Sequence, residues 1–294
     1  MLAGVAPPLL IVNPLASGVT QDLLRRVEAE LAPVETRLTD ARGHATELAR
    51  EASREGRTLF VFSGDGVYNE VLNGLDGDVA LGLVPGGGTS VFPRALGLPR
   101  DPLEAARLLA GATVTRRIAL GRANGRRFAF AAGIGLDAYA VRYVDERGRA
   151  SGRRPGDATF VWAFARQLVR GRIGASLEID GRGRAAWVVV ANGDPSTYLG
   201  RMPLHVAPEA RFELGLDLVA PRTISPLSVP RFVRYALSGR GQERAADVVY
   251  GHDLERIVVR CDRPTALQLD GEDLGDVTEV EFVSEPDAVS VMVG

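Results

Sequence analysis

The chain has 294 residues, of which 46% are hydrophobic and 24% charged, with a net charge of −2. At roughly 100–200 residues per domain this length predicts two domains, and the composition is that of a globular protein rather than a disordered one. The small net charge argues against a nucleic-acid partner, and one cysteine, Cys261, with three histidines leaves no expectation of a disulfide or a zinc site.

No lysine occurs, so all 35 basic residues are arginine. That excludes a lysine-bearing P-loop, the strand lysine of protein kinases, and Schiff-base chemistry. A protein of this composition that handles phosphates must use backbone N–H groups, arginines and a metal ion. No run reaches the 18 apolar residues of a membrane-spanning helix, and no basic region precedes an apolar stretch at the N-terminus. A cytoplasmic protein is therefore expected.

Leu9–Val12 is apolar throughout and predicts a buried strand. Gln21–Ala32 carries Leu23, Leu24, Val27 and Leu31 at helical spacing. A strand over Val34–Leu38 and a helix over His44–Arg54 follow. Thr58–Phe62 is the next strand, with a Ser63-Gly64-Asp65-Gly66 turn and a helix over Tyr68–Gly74 behind it. Ala80–Val84 then precedes Pro85-Gly86-Gly87-Gly88, and Pro102–Ala110 is helical. Strands and helices alternating at short intervals predict a parallel sheet covered by helices.

Past about residue 115 the pattern changes. Phe128–Ala132, Ser176–Ile179, Ala185–Ala191, Leu216–Val219, Arg256–Arg260 and Val289–Val293 are short apolar or β-branched runs bounded by Gly, Pro or Asp. This predicts antiparallel strands, interrupted by one helix over Ala158–Val169. The expected division is a nucleotide-binding α/β domain over 1–120 and a β-rich domain over 121–294, the last segment being free to return to the first domain.

The turn at Ser63–Gly66 is the sharpest chemical signal. Glycines let a backbone approach a ligand closely, and a helix N-terminus offers unpaired N–H groups and the positive end of a dipole. Together they hold phosphate without a lysine. Asp65 between the glycines can hold Mg²⁺, act on a substrate hydroxyl, or cap the helix.

The segment Ser63-Gly64-Asp65-Gly66-Val67-Tyr68-Asn69-Glu70-Val71-Leu72-Asn73-Gly74-Leu75 resembles the signature of the diacylglycerol kinase catalytic domain. Further segments resemble that family in its own order: Ile11–Pro14, Thr39 with Gly43-His44-Ala45, Pro85–Gly97, Ala132–Ala138 and Gln268-Leu269-Asp270-Gly271-Glu272. The resemblance covers about residues 9–290. It implies a two-domain fold like that of NAD kinase and diacylglycerol kinase: a Rossmann-like parallel α/β domain and an antiparallel, β-sandwich-like domain.

The same resemblance implies a lipid kinase using ATP and Mg²⁺, with diacylglycerol as the first substrate and phosphatidic acid as product. A sphingoid-base or ceramide kinase is the alternative enzyme, favoured by Ser63 and Val67 in place of the usual glycine and threonine. A degenerate nucleotide- or lipid-binding protein is the non-catalytic alternative. By resemblance Glu272 is the general base and Asp65 the second catalytic and metal-organising residue. The nucleotide is expected on Asn13, Thr39, Ser63, Gly64, Asp65, Gly66, Val67, Asn69, Gly88, Thr89 and Asp270. Leu214 stands at the aspartate position of the family's structural cation motif, so that site is expected to be weakened or lost unless backbone carbonyls suffice.

A bilayer substrate implies peripheral contact with an anionic membrane at its inner face. Arg142, Arg147, Arg149, Arg153 and Arg154, followed by Phe160, Val161, Phe164 and Leu168 at helical spacing, form the expected contact over 142–172. A homodimer is a possible assembly, and no nucleic-acid partner is expected.

Overall fold

The structure, a computed structural model, describes residues 6–151, 162, 163, 166, 176–225 and 227–293. It divides into two compact units: one of Met1–Ala119 with Asp287–Gly294, and one of Leu120–Pro286.

The first unit is a doubly wound α/β layer. Its strands are β1 (Leu9–Val12), β2 (Glu35–Leu38), β3 (Leu59–Ser63) and β4 (Ala80–Pro85). Its helices are α1 (Gln21–Leu31), α2 (His44–Arg54), α3 (Asp65–Gly74), α4 (Val91–Ala95) and α5 (Pro102–Ala110). The strands pair in parallel in the order β4-β3-β1-β2, and Ser290 and Val291 of the final strand add in parallel beside β4. β1 and β3 are buried along their whole length, as continuous apolar runs in a parallel sheet require.

Helices α1 and α5 pack on each other, as do α2 and α3. The second contact is close: a Cβ on Gly74 would stand 2.2 Å from the Thr46 carbonyl oxygen, and Thr46 Oγ1 donates to the Glu70 carbonyl at 2.9 Å. Only glycine fits there. Strand order reverses direction between β1 and β3, and in such sheets ligands bind beyond the carboxyl ends of the strands at that point.

α3 begins at Asp65, three residues earlier than the periodicity predicts. Gly66 has an ordinary helical backbone, and an acid in the first turn is favoured by the helix dipole. The turn is thereby reduced to Gly64, and Asp65 and Gly66 belong to the helix N-terminus.

The second unit is antiparallel. It begins within β5 (Val114–Ala123), continues with β6 (Arg126–Phe128), β7 (Ala131–Ile134) and α6 (Leu136–Ser151), and resumes at β8 (Leu177–Ile179), β9 (Gly183–Ala185) and β10 (Val188–Ala191). The hairpin β11 (Thr197–Leu199) and β12 (Met202–Leu204) precedes β13 (Leu216–Pro221), α7 (Val229–Ser238), β14 (Val248–Leu254), β15 (Arg256–Leu269) and β16 (Glu272–Val293). Its main sheet runs β14-β13-β10-β7-β15-β16. Phe128, Ile134, Leu177, Val190, Leu218 and Phe282 are among the residues of its core.

Three expectations change here. The run Phe128–Ala132 is split into β6 and β7, because the N–H groups of Ala129, Phe130 and Ala131 all turn to the Asp270 carboxylate. Leu136–Ser151 is a helix where the sequence offered only a basic segment, and α7 was not anticipated. The helix expected over Ala158–Val169 lies outside the described residues except at 162, 163 and 166. Cys261 sits half-buried on β15, where burial pushes its thiol pKa up.

Candidate active site

In the first unit, three turns meet at the carboxyl ends of β1, β3 and β4. Gly18 N–H donates to the Gly86 carbonyl at 2.9 Å, and Gly86 N–H to the Ser63 carbonyl at 2.6 Å. A Cβ on Gly87 would lie 2.7 Å from Gly64 Cα, and one on Gly18 would lie 2.9 Å from Gly86 O. The backbones touch, so glycine is required at this junction.

Asp65 locks the junction. Its Oδ2 accepts the Val91 N–H at 3.0 Å and its Oδ1 the Phe92 N–H at 3.1 Å. The carboxylate thus caps α4, whose own N-cap, Ser90, has φ 47° and makes no side-chain cap bond. Tyr68, fully buried one turn into α3, hydrogen-bonds the Ser63 and Val84 carbonyls at 2.8 Å. Burial, with the Asp65 charge behind it, raises the Tyr68 pKa well above the usual phenol value, so Tyr68 acts as a neutral tie between β3 and β4.

The other expected residues of this unit fall around the same junction. Asn13 Oδ1 accepts the Leu15 N–H at 2.9 Å and shapes the turn after β1. Thr39 follows β2, its N–H bonded to the Val12 carbonyl at 2.8 Å. Ser63 ends β3 with its hydroxyl buried and without a hydrogen-bond partner among the described residues. Gly66 is exposed, with open space where a Cβ would stand, and Val67 is half-buried beside it. Asn69 is buried, its carbonyl and Oδ1 accepting from Asn73 Nδ2 at 2.8 and 3.2 Å. Gly88 is exposed and Thr89 half-buried on the second glycine turn.

Arg94 is a residue whose role pattern reading missed. Its Nη1 donates to the Thr89 carbonyl at 3.1 Å, so a guanidinium stands on the second turn of a lysine-free chain. The signal was present in the quoted motif but carried no spacing that marked it.

A magnesium nucleotide fits this donor set. Backbone N–H groups at the start of α3, an open face at Gly66, and the Thr89 and Ser63 hydroxyls suit phosphate oxygens. Asp65 is the carboxylate at the junction. Mg²⁺ commonly takes one or two carboxylates and completes its shell from phosphate and water. Among the described residues no group of three or more His, Cys, Asp or Glu converges as a metal site of its own.

In the second unit Asp270 and Gly271 form a two-residue hairpin turn, both at positive φ (49° and 78°), with Leu269 opposite Glu272. The Asp270 carboxylate is buried and accepts the N–H groups of Ala129, Phe130 and Ala131 at 2.6, 3.0 and 3.3 Å. Gln268 Oε1 accepts the Gly271 N–H at 2.9 Å, and Gln268 Nε2 donates to Asp137 at 2.9 Å. Trp187 Nε1 holds the other Asp137 oxygen at 2.8 Å. Burial raises the Asp137 pKa despite those bonds. Gly133 lies directly against this carboxylate, where a Cβ would come within 1.8 Å.

The turn therefore presents Glu272 from a rigid base. Arg126 Nη2 donates to Glu272 Oε2 at 2.8 Å and orients the carboxylate. Asp270 and Glu272, two residues apart in the motif, point to different partners. At the replaced cation motif, Asp217 is buried and taken by His252 Nδ1 at 2.8 Å and the Asp253 N–H at 3.1 Å.

Residues 7–123 match the family model for the diacylglycerol kinase catalytic domain. The chain is 41% identical over 118 residues to a diacylglycerol kinase of Bacillus subtilis, covering 38% of this chain and 39% of that one. It is 34% identical over 111 residues to a diacylglycerol kinase of Staphylococcus saprophyticus, with 36% of each covered. These matches span well under half of the relatives' lengths. Among solved structures, that of a diacylglycerol kinase from Bacillus anthracis is similar with a TM-score of 0.71 at 21% identity, over 98% of this chain and 97% of that one. That likeness shows a shared fold.

Proposed function

We propose that this chain, a member of the diacylglycerol kinase catalytic-domain family through residues 7–123, is a lipid kinase. It transfers the γ-phosphate of Mg-ATP to a lipid hydroxyl, with diacylglycerol as first substrate and phosphatidic acid as product. The observation that carries the reading is the backbone contact of the three turns, locked by Asp65 across the second of them.

Phosphoryl transfer asks a protein chiefly for positioning and charge stabilisation. Here the turns of Asn13, Ser63–Val67 and Gly88–Thr89 hold the phosphates by N–H and hydroxyl groups, and Thr39 stands toward the nucleoside. Asn69 and Asn73 brace the first two turns of α3. Asp65 keeps the second turn in place and offers carboxylate charge to the metal. Bound Mg²⁺ supplies neutralisation of phosphate charge. Glu272 takes the proton of the lipid hydroxyl, while Arg126 orients it and Asp270, through three N–H groups, fixes the turn that carries it.

The enzyme works from the cytoplasm at the inner face of the membrane. No described helix is long and apolar enough to cross a bilayer. In the proposed contact over 142–172, Arg142 is held by Asp273 at 3.0 Å and Asp276 at 2.7 Å, so its charge is spent internally. Arg147 and Arg166 stack over Tyr143 and Trp162, and Trp162 is exposed. This leaves an aromatic and guanidinium pair suited to an interface. Arg149, Arg153 and Arg154 lie where no side chain is described.

Ser63 and Val67 favour a sphingoid base or ceramide as second reading. A panel of diacylglycerol, ceramide, sphingosine and monoacylglycerol, each offered with γ-labelled ATP and Mg²⁺, tests both. Label is expected in phosphatidic acid. Label in a sphingoid phosphate moves the assignment to the second reading, and label in no lipid leaves a nucleotide- or lipid-binding protein.

A further inference from the structure

Helix α7 does not look like the other helices. Phe232 packs against a small core of Ala191, Ala207, Ala210, Val219 and Val248, and the buried Tyr235 stands edge-on to the Phe232 ring. The opposite positions are Pro230, Val233, Arg234 and Leu237, at the i, i+3, i+4, i+7 spacing of one helix face. All are exposed, Val233 by 50% and Leu237 by 43%, and Leu227 just before the helix is exposed by 92%. The exposed positions of α1 include Asp22, Arg25 and Arg26, and those of α2 are Glu47, Arg50, Glu51 and Arg54.

The hairpin β11–β12 lies beside this helix. The His205 N–H donates to the Ala236 carbonyl at 2.7 Å, and a Cβ on Gly239 would touch the His205 ring. The hairpin exposes Leu199 and Met202. Large exposed apolar side chains thus gather between residues 199 and 237, where scattered single ones would be unremarkable.

Charge in these segments has one sign. Residues 197–204 and 221–241 contain Arg201, Arg222, Arg231, Arg234 and Arg240 and no Asp or Glu. Asp247, outside them, pairs with Arg231. Among the described residues the other four have no carboxylate partner. Arg231 lies over the rings of Phe232 and Tyr235 and Arg234 over that of Tyr235, 4.9–5.9 Å from the centroids.

We propose that the outward face of α7, with the tip of the β11–β12 hairpin, is a docking surface for an anionic phospholipid bilayer. A helix that shows apolar side chains flanked by arginines seats in the headgroup layer, and each arginine near an anionic surface adds attraction. The surface is separate in sequence from the contact over 142–172. Its purpose rests on the lipid-kinase reading, since a bilayer substrate requires an enzyme held at the interface. Its existence as a membrane-binding face does not.

The test is co-sedimentation of the full chain with vesicles of phosphatidylglycerol and phosphatidylcholine, and with phosphatidylcholine alone. Binding is expected to the anionic vesicles and to weaken with salt. The pair Val233→Asp and Leu237→Asp, at exposed positions, is expected to lower that binding by about tenfold or more. Arg234→Ser with Arg240→Ser is expected to weaken it and flatten its salt dependence. Phosphorylation of a short-chain diacylglycerol in detergent should be unchanged in both.

Wild-type binding by the Val233/Leu237 variant would overturn the proposal. So would loss of binding only on Arg149→Ser, Arg153→Ser and Arg154→Ser, or a wild-type dimer that dissociates in the Val233/Leu237 variant. If binding depends on α7 but no lipid is phosphorylated, the kinase reading fails and the surface stands. If lipid is phosphorylated and the α7 variants bind normally, the surface fails alone.

Discussion

Asp65→Asn separates a structural role of this residue from a direct one. The carboxylate accepts two backbone N–H groups, at 3.0 and 3.1 Å, each a charge-assisted bond. An amide keeps one acceptor and turns an NH₂ toward the other N–H. One bond to a charged group is lost, which costs about 1.5–3 kcal/mol. α4 has five residues and no side-chain cap of its own, so nothing replaces Asp65. Taking about 2 kcal/mol, local opening of the second glycine turn becomes about 30-fold more frequent. Amide hydrogen exchange at Val91 and Phe92 should accelerate by that factor, with the amides of β1 and β3 unaffected. Nucleotide affinity should fall in parallel. Unchanged exchange at Val91 and Phe92 in a folded variant would refute the capping argument. A fall in nucleotide affinity without faster exchange would place Asp65 on the metal and phosphates alone.

Gly66→Val enters open space at the start of α3, so thermal stability should hold while Mg-ATP affinity, read by calorimetry, falls by about tenfold or more as the side chain covers the N–H groups. Unaltered affinity would remove the α3 N-terminus from the phosphate site. Glu285 gives a pH dependence. Burial alone would raise its pKa, but hydrogen bonds from Arg127 and then Arg122 bring it down to about 2. A depressed carboxylate stabilises the fold above its unfolded pKa and loses that contribution as pH falls through the folded one. The loss is therefore expected between about pH 4.5 and pH 2, and amounts to about 1 kcal/mol once solvent screening is allowed for. Glu285→Gln should flatten the melting temperature over that window; the same acid sensitivity in the variant would contradict the assignment.

The α/β half was legible because each strand there is a short apolar run and each helix an amphipathic one, so period alone separates them. The site was legible where the chemistry is local: Ser63–Gly66 at the head of a helix, and Asp270-Gly271 as a hairpin turn. What escaped was long-range. Nothing near Asp65 shows that its carboxylate reaches Val91, and nothing near Asp270 shows the N–H groups of 129–131, which also explains the split of one expected strand into β6 and β7. α6 was hidden by its many charged residues, which helix periodicity tolerates but a search for apolar faces overlooks. α7 was hidden because its outward face is apolar and arginine-rich together, so no clean stripe stands out.

The most direct measurement is incorporation of label from γ-labelled ATP, with Mg²⁺, into diacylglycerol by the wild-type chain and by Glu272→Gln. The substitution keeps the shape of the side chain and removes its basicity. The account predicts labelled phosphatidic acid from the wild type, and a loss of about 10²–10⁴-fold in Glu272→Gln with Mg-ATP binding retained. Near-normal turnover in Glu272→Gln, or no labelled lipid from the wild type, would contradict it.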